Sequence, residues 1–296
     1  MEAYTGFAYV YDEYMDNIPY DEWEEYLVEL LKENGIDKDN TVIDLGCGTG
    51  TVTRMLDKEG YNCIGIDLSE DMLSIASDKT YDSGQQIIYS CQDMRDFEVP
   101  YETDAFISIG DSMNYITAND DLCDVFKCVK KGLKQGGVFI FDLKTIHFFK
   151  DILADNTYAE NREDSAFIWD NYYDEESSNN EYELAVFVRN EDGTFDRFEE
   201  EHYQHGFTLE EVSDAVKKAG LKIRNVYDAF SHNAPDDNSE RNLAELITVE
   251  SAKKGNTVSA VKNISNKVLY NKSNNELCNT QIVNRALKYA QERGML

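Results

Sequence analysis

The chain has 296 residues, which is enough for one large α/β domain with an insertion or an appended segment. Its hydrophobic content of 42% and aromatic content of 12% are typical of a folded protein and exclude a largely disordered one. The formal net charge of -30 creates a negative field that repels phosphate backbones. Nucleic acid is therefore disfavoured as a partner, and a neutral or cationic small molecule is favoured.

The six cysteines include no C-x-x-C pair, which indicates neither a zinc site nor a disulfide framework, and no metal is expected. The N-terminus is acidic and aromatic where a signal peptide would be basic and then apolar, and no apolar stretch reaches membrane-spanning length. The sequence therefore predicts a cytoplasmic protein without membrane contact.

Residues 1–38 carry two sets of apolar side chains at helical spacing, one before and one after Pro19. They predict two amphipathic helices that form a lid. The first set is Tyr4, Phe7, Tyr11 and Tyr14, and the second is Trp23, Tyr26, Leu27, Leu30 and Leu31.

Residues 39–163 alternate between short apolar runs and helical patterns, which indicates a doubly wound, mostly parallel sheet. The predicted strands are 41–45, 61–66, 86–90, 103–109 and 138–143, and the predicted helices include 70–77 and 121–133. This part is expected to form the ligand-binding core of the protein.

Residues 164–207 change to a period of two, separated by turn-forming clusters, and predict a three-stranded antiparallel insertion that serves as a substrate wall or a homodimer contact. Residues 208–255 complete the core with a helix over 209–219 and strands over 221–230 and 243–250. Residues 256–296 are rich in asparagine and carry a net charge of +4, so they are expected to form an appended segment that includes a C-terminal helix.

A glycine-rich loop, V-I-D-L-G-C-G-T-G over residues 42–50, joins the first strand to the next helix. Glycines at this place allow a tight turn and let a ligand approach backbone N–H groups at the helix N-terminus. The dinucleotide fingerprint G-x-G-x-x-G requires a third glycine at position 51, where Thr51 stands, and this makes a dehydrogenase a poor alternative. Asp67 ends the second strand and is suited to accept hydrogen bonds from both hydroxyls of a ribose.

These segments, together with G-I-D-L-S-E-D-M-L, C-Q-D-M-R-D-F, D-A-F-I-S-I-G-D-S-M-N-Y-I and G-G-V-F-I-F-D-L further along, resemble the class I S-adenosylmethionine (SAM)-dependent methyltransferases. With its aromatic N-terminus the chain most resembles small bacterial methyltransferases related to glycine/sarcosine and amino-sugar N-methyltransferases. The resemblance implies a Rossmann-like seven-stranded sheet with SAM as cofactor.

The resemblance also implies roles for individual residues. The methionine part of SAM would meet Asp44 and the glycine loop, with Tyr11 as a cover, and Asp67 would hold the ribose. Met72, Asp93 and the backbone of Met94 would contact adenine, and Gly110 would pass near the sulfonium. The full set of implied cofactor residues is Tyr11, Asp44, Gly46, Cys47, Gly48, Gly50, Asp67, Leu68, Met72, Asp93, Met94 and Gly110.

Methyl transfer to an amine or a hydroxyl requires a base for the proton of the acceptor, and the candidates are Asp111, Tyr115, His202 and His205. The favoured function is methylation of an N or O atom of a small molecule. A methyltransferase that acts on protein or RNA through the basic segment 256–296, and a catalytically silent SAM-binding protein, stay open at this point.

Overall fold

Seven strands form the main sheet in the order β10-β11-β5-β4-β1-β2-β3. The coordinates are a computed structural model that describes residues 7–248, apart from the side chain of Tyr9. The strands are β1 (Thr41–Leu45), β2 (Asn62–Asp67), β3 (Ile88–Cys91), β4 (Thr103–Ser108), β5 (Leu133–Lys144), β10 (Leu221–Asp228) and β11 (Arg241–Thr248). All pairs are parallel except those of β11, which runs antiparallel to both neighbours. The predicted Rossmann-like seven-stranded sheet is confirmed.

The helices are α1 (Tyr11–Tyr14), α2 (Tyr20–Glu33), α3 (Thr51–Glu59), α4 (Glu70–Ser83), α5 (Asn119–Gly132) and α6 (Leu209–Ala219). The ends of α6 show why the boundaries were readable from sequence: Thr208 and Glu211 form a capping box, and Gly220 ends the helix in the left-handed conformation. Buried phenylalanines of β4, α5 and β5 form the centre of the core between helices and sheet.

The first expected helix is wrong in part, because the chain forms a 3₁₀ turn at Phe7–Tyr9 and then a single α-helical turn, α1. Phe7 and Tyr14 pack with Leu184 and Val186 of a second sheet. The helical spacing of the aromatic residues therefore reflects packing of a short, irregular segment, which tertiary contacts rather than helix propensity stabilise. Tyr4 and the segment 256–296, with its expected helix, lie outside the described residues.

The second sheet has four strands in sequential order, where the sequence predicted three: β6 (Thr157–Asn161), β7 (Ser165–Asp174), β8 (Asn179–Arg189) and β9 (Phe195–His205). The insertion thus begins at 157 rather than 164. The edge strand β6 was missed because its five residues, TYAEN, are all at least partly exposed and carry no apolar alternation. Among the described residues, no helix is both long and apolar enough to cross a bilayer.

Candidate functional site

The glycine loop lies where the carboxyl ends of β1, β2 and β4 meet. Gly46, Gly48 and Gly50 all have positive φ, between 53° and 72°. The backbone N–H groups of Gly46 and Cys47 both donate to the carbonyl of Ile66, which holds the loop against β2. A Cβ on Gly46 would lie 2.5 Å from the Ser112 side chain, whereas nothing lies within 4 Å of the corresponding position on Gly48. The glycine loop is therefore packed against Ser112 at Gly46 and has open space at Gly48.

Asp67 is the acidic residue that faces this opening. Its carboxylate accepts from the N–H of Gly48 at 2.8 Å and from the N–H of Ser69 at 2.9 Å. Burial raises the pKa of Asp67, opposed by these backbone hydrogen bonds. The N–H of Leu68 is a third backbone donor to this carboxylate. A carboxylate has about four acceptor positions, so one remains for a hydroxyl of a ligand.

Leu68 and Met72 follow Asp67 but differ in what they offer to a ligand. The Leu68 side chain is 65% exposed and provides an apolar surface beside the carboxylate. Met72 is 2% exposed and packs in the interior. Leu68 is therefore better placed than Met72 to pack on a ring; the contact expected of Met72 stays a prediction.

Asp44 lies beneath the loop and is buried. The hydroxyl of Thr53 donates to its carboxylate at 2.6 Å. Burial, with the nearby charge of Asp67, raises the pKa of Asp44 to about 7. Burial also raises the pKa of the Cys47 thiol, so this cysteine is neutral and a poor nucleophile.

Asp93 and Met94, the residues expected at adenine, lie in the loop after β3. The Asp93 carboxylate accepts from the Arg95 guanidinium at 2.5–3.0 Å, and this hydrogen bonding lowers its pKa. Met94 is partly buried against the core. The Asp93 carboxylate is thus ionised and paired with Arg95. Its contact with adenine stays a prediction.

The N-terminal segment reaches the glycine loop through α1. Asp12 accepts from the Thr49 hydroxyl at 2.8 Å and forms an ion pair with Lys79 of α4. Tyr11 packs edge-to-face on Phe7 at 5.6 Å and is partly buried against the cluster that joins this segment to the second sheet, so its role as a cover of the methionine part stays a prediction. The N-terminal segment thus contacts the glycine loop through α1, and the lid expected from residues 1–38 stays a prediction.

Asp111 follows the open Gly110 and is held by three side chains from distant parts of the chain. It accepts from Lys144 at 2.9 Å, from Gln204 at 2.9 Å and from Arg241 at 3.2 Å. Burial opposes ionisation, but the charges of Lys144 and Arg241 outweigh it, so the pKa of Asp111 is lowered. An ion-paired carboxylate of this kind is a weak base, and the contacts indicate that Asp111 fixes the strand ends.

Tyr115 and His202, two further candidates for the base, lie side by side. The Tyr115 hydroxyl lies 2.7 Å from that of Tyr182 and 3.0 Å from Nδ1 of His202, while Nε2 of His202 lies 3.1 Å from Glu200. Sequence reasoning missed Tyr182 and Glu200. The signal was present: polar residues alternate along β9 at positions 200, 202 and 204.

His205, the last candidate, contacts different groups. Its Nδ1 lies 2.8 Å from the side-chain oxygen of Asn179, its ring packs on Phe207, and its carbonyl accepts from Asn114. Burial lowers its pKa. These contacts are those of a structural histidine that ties β9 to the turn after β4.

The site has an open face at Gly48, a remaining acceptor position on Asp67 and an exposed apolar side chain at Leu68. These features fit an adenosine-containing cofactor. Comparison with known proteins agrees with this fit. Residues 42–137 match a family model described as a methyltransferase domain.

The chain is 35% identical over 239 residues to the putative methyltransferase YqeM of Bacillus subtilis, an alignment that covers 80% of this chain and 94% of the relative. Among solved structures, an S-adenosylmethionine-dependent methyltransferase from Clostridium acetobutylicum has a TM-score of 0.74 at 29% identity, covering 83% of this chain and 99% of the other. The sugar N-methyltransferase KedS8 from Streptoalloteichus shares the fold, with a TM-score of 0.67 at 18% identity over 82% and 93% of the two chains. The chain belongs to the class I SAM-dependent methyltransferases, and SAM is its cofactor.

Proposed function

We propose that this methyltransferase acts on an N or O atom of a small molecule. The observation that carries the proposal is that three separate elements contact the glycine loop and the turn after β4 that follows it in the sheet. Asp12 of α1 contacts Thr49 of the loop, Ser112 of the turn after β4 donates to the carbonyl of Gly46, and Gln204 of β9 donates to Asp111. A site contacted by several elements suits a small acceptor better than a segment of protein or RNA.

The reaction is an in-line displacement in which SAM supplies an electrophilic methyl group on a sulfonium. The protein must orient donor and nucleophile and exclude water. We assign a ribose hydroxyl to Asp67 and the methionine part to the open backbone at Gly48. Tyr11 and α1 would shield the reacting groups from solvent.

The chemical class of the acceptor is supported by two further observations. The net charge of -30 attracts cationic molecules such as amines and repels nucleic acid. A sugar N-methyltransferase shares the fold, although at 18% identity it suggests only which acceptors to try first.

The test is incubation with SAM and a panel of amines, amino sugars and phenols, with S-adenosylhomocysteine measured by mass spectrometry. We expect turnover with at least one small acceptor. Turnover only on a protein or RNA target, abolished by removal of residues 256–296, would instead identify a macromolecular methyltransferase. SAM binding without turnover on any target would identify a silent SAM-binding protein.

A homodimer through the second sheet is a separate proposal. It predicts twice the monomer mass in light scattering, and a monomer at all concentrations would refute it.

A further inference from the structure

Strand β9 carries a row of buried polar side chains on the face that packs toward the site. Side chains two residues apart share a face of a strand, and Glu200, His202 and Gln204 are only 1%, 2% and 0% exposed. On the same face of β8, Leu184 lies opposite Glu200 and is apolar. Burial of ionisable side chains costs free energy unless they are paired. We therefore expect these three side chains to have hydrogen-bond partners.

The partners of two of these residues form a continuous chain. One oxygen of Glu200 accepts from the backbone N–H of Phe7 at 2.9 Å, and the other lies 3.1 Å from Nε2 of His202. Nδ1 of His202 lies 3.0 Å from the Tyr115 hydroxyl, and that hydroxyl lies 2.7 Å from the hydroxyl of Tyr182. Three elements and the N-terminal segment thus meet around one imidazole.

The chain of contacts runs from the interior to the site. Glu200 and His202 are buried, whereas Tyr115 and Tyr182 are both partly exposed. Tyr115 ends the 3₁₀ turn Ser112–Tyr115, and Ser112 at its start donates to the carbonyl of Gly46 at 3.0 Å. The exposed end of the chain is therefore anchored to the loop that holds the methyl donor.

We infer that Tyr115, His202 and Glu200 form a proton relay that takes the proton of the methyl acceptor. The inference rests on the proposed N or O acceptor. As the nucleophile bonds to the methyl carbon and the carbon–sulfur bond breaks, the acceptor proton passes to the Tyr115 oxygen. The Tyr115 proton passes to Nδ1 of His202, and the carboxylate of Glu200 stabilises the imidazolium. After product release the proton returns from Nδ1 to the Tyr115 oxygen, and the proton that Tyr115 took from the acceptor passes to solvent. Tyr115 contacts the acceptor; His202 and Glu200 act through it.

The other candidates for the base are engaged elsewhere. Asp111 is held by two cations and Gln204, and His205 is held by Asn179.

The first experiment needs no acceptor. Nitrogen-15 NMR of the imidazoles, with S-adenosylhomocysteine bound, reports which ring nitrogen of His202 carries the proton. The relay requires the proton on Nε2, donated to Glu200, and an unprotonated Nδ1 that accepts from Tyr115. Tyr115→Phe should shift the Nδ1 resonance selectively. A neutral His202 with its proton on Nδ1 would overturn the relay, whatever the acceptor is.

The second experiment uses the best acceptor from the panel of amines, amino sugars and phenols. Tyr115→Phe and His202→Asn should each lower kcat by about 10²- to 10⁴-fold, the usual contribution of general acid–base catalysis, while the Kd for SAM changes less than about threefold. Glu200→Gln should lower kcat less. Among the described residues, the imidazole contacts Glu200, Tyr115 and Tyr182, and Glu200→Gln removes the negative charge beside it.

Matched controls come from the protein surface. His232 pairs with Glu33 at 3.4 Å, and the Tyr203 hydroxyl donates to Glu181 at 3.0 Å, both in exposed positions. His232→Asn and Tyr203→Phe should leave kcat and its pH profile unchanged. A kcat within about threefold of wild type in both Tyr115→Phe and His202→Asn would refute the inference. If the wild type turns over no acceptor, the proposed function fails, and the NMR experiment still decides the geometry of the relay.

Discussion

Replacement of Asp44 by asparagine tests whether the carboxyl beneath the glycine loop is as costly to ionise as its burial implies. Asparagine keeps the shape of the side chain and an oxygen that accepts from Thr53, but it does not titrate. The variant therefore isolates the cost of placing a charge at this position.

The magnitude follows from the pKa of Asp44 in the two states. The ordinary pKa of 3.8 applies in the unfolded chain, and burial raises the folded-state pKa to about 7. Between these values the folded protein keeps a proton that the unfolded chain has lost, so the free energy of unfolding falls as pH rises, by about 1.4 kcal/mol per pH unit. The contribution of the protonated Asp44 carboxyl to the free energy of unfolding is fully present below the unfolded-state pKa, and it is lost as pH rises through the folded-state pKa. Its total is at most about 4 kcal/mol.

The assay is urea unfolding of wild type and Asp44→Asn at several pH values from about 4 to about 8, with Asp78→Asn on the exposed side of α4 as control. We expect Asp44→Asn to gain stability relative to wild type as pH rises, and the control to show no such trend. A difference between wild type and Asp44→Asn that stays constant within about 1 kcal/mol would refute the reasoning.

Two further substitutions probe the glycine loop and its cover. Gly46→Ala should lose about 2–5 kcal/mol of stability, because φ is +72° and the new Cβ would lie 2.5 Å from a serine side chain; Gly193→Ala, with positive φ but open space, should lose only about 1–2 kcal/mol. Thermal unfolding measures both, and equal losses would contradict the packing argument. Asp12→Asn should weaken SAM binding about 2- to 5-fold in calorimetry because it loosens the contact of α1 with Thr49, whereas Asp124→Asn, from an exposed pair on α5, should not. An unchanged affinity in Asp12→Asn would remove α1 from the cofactor site.

The main sheet was predictable because its signals are local. Short apolar runs that end in glycine or aspartate marked β1 and β2, and those ends placed the glycine loop beside Asp67. The edge strand β6 has no such signal, since its residues follow neither apolar alternation nor a buried run. Its existence depends on pairing with β7, which a local pattern does not record.

The candidate site was predictable only in part. Tyr115 and His202 were nominated separately, but their contact joins residues 87 positions apart and depends on how the second sheet packs against the turn after β4. The ion pair of Asp111 with Arg241 spans 130 positions. Such contacts decide whether a candidate base can accept a proton or is already held in an ion pair. They depend on tertiary structure and have no local sequence signal.

Calorimetric titration of SAM into wild type and Asp67→Ala tests whether SAM binds at the glycine loop with its ribose on Asp67. Loss of the ribose hydrogen bond to this charged acceptor should weaken SAM binding by about 10- to 10²-fold, with Asp78→Ala as the surface control. Thermal unfolding of the same samples shows whether Asp67→Ala is folded, since Gly48 and Ser69 also lose a partner. Unchanged SAM affinity in folded Asp67→Ala would contradict the account.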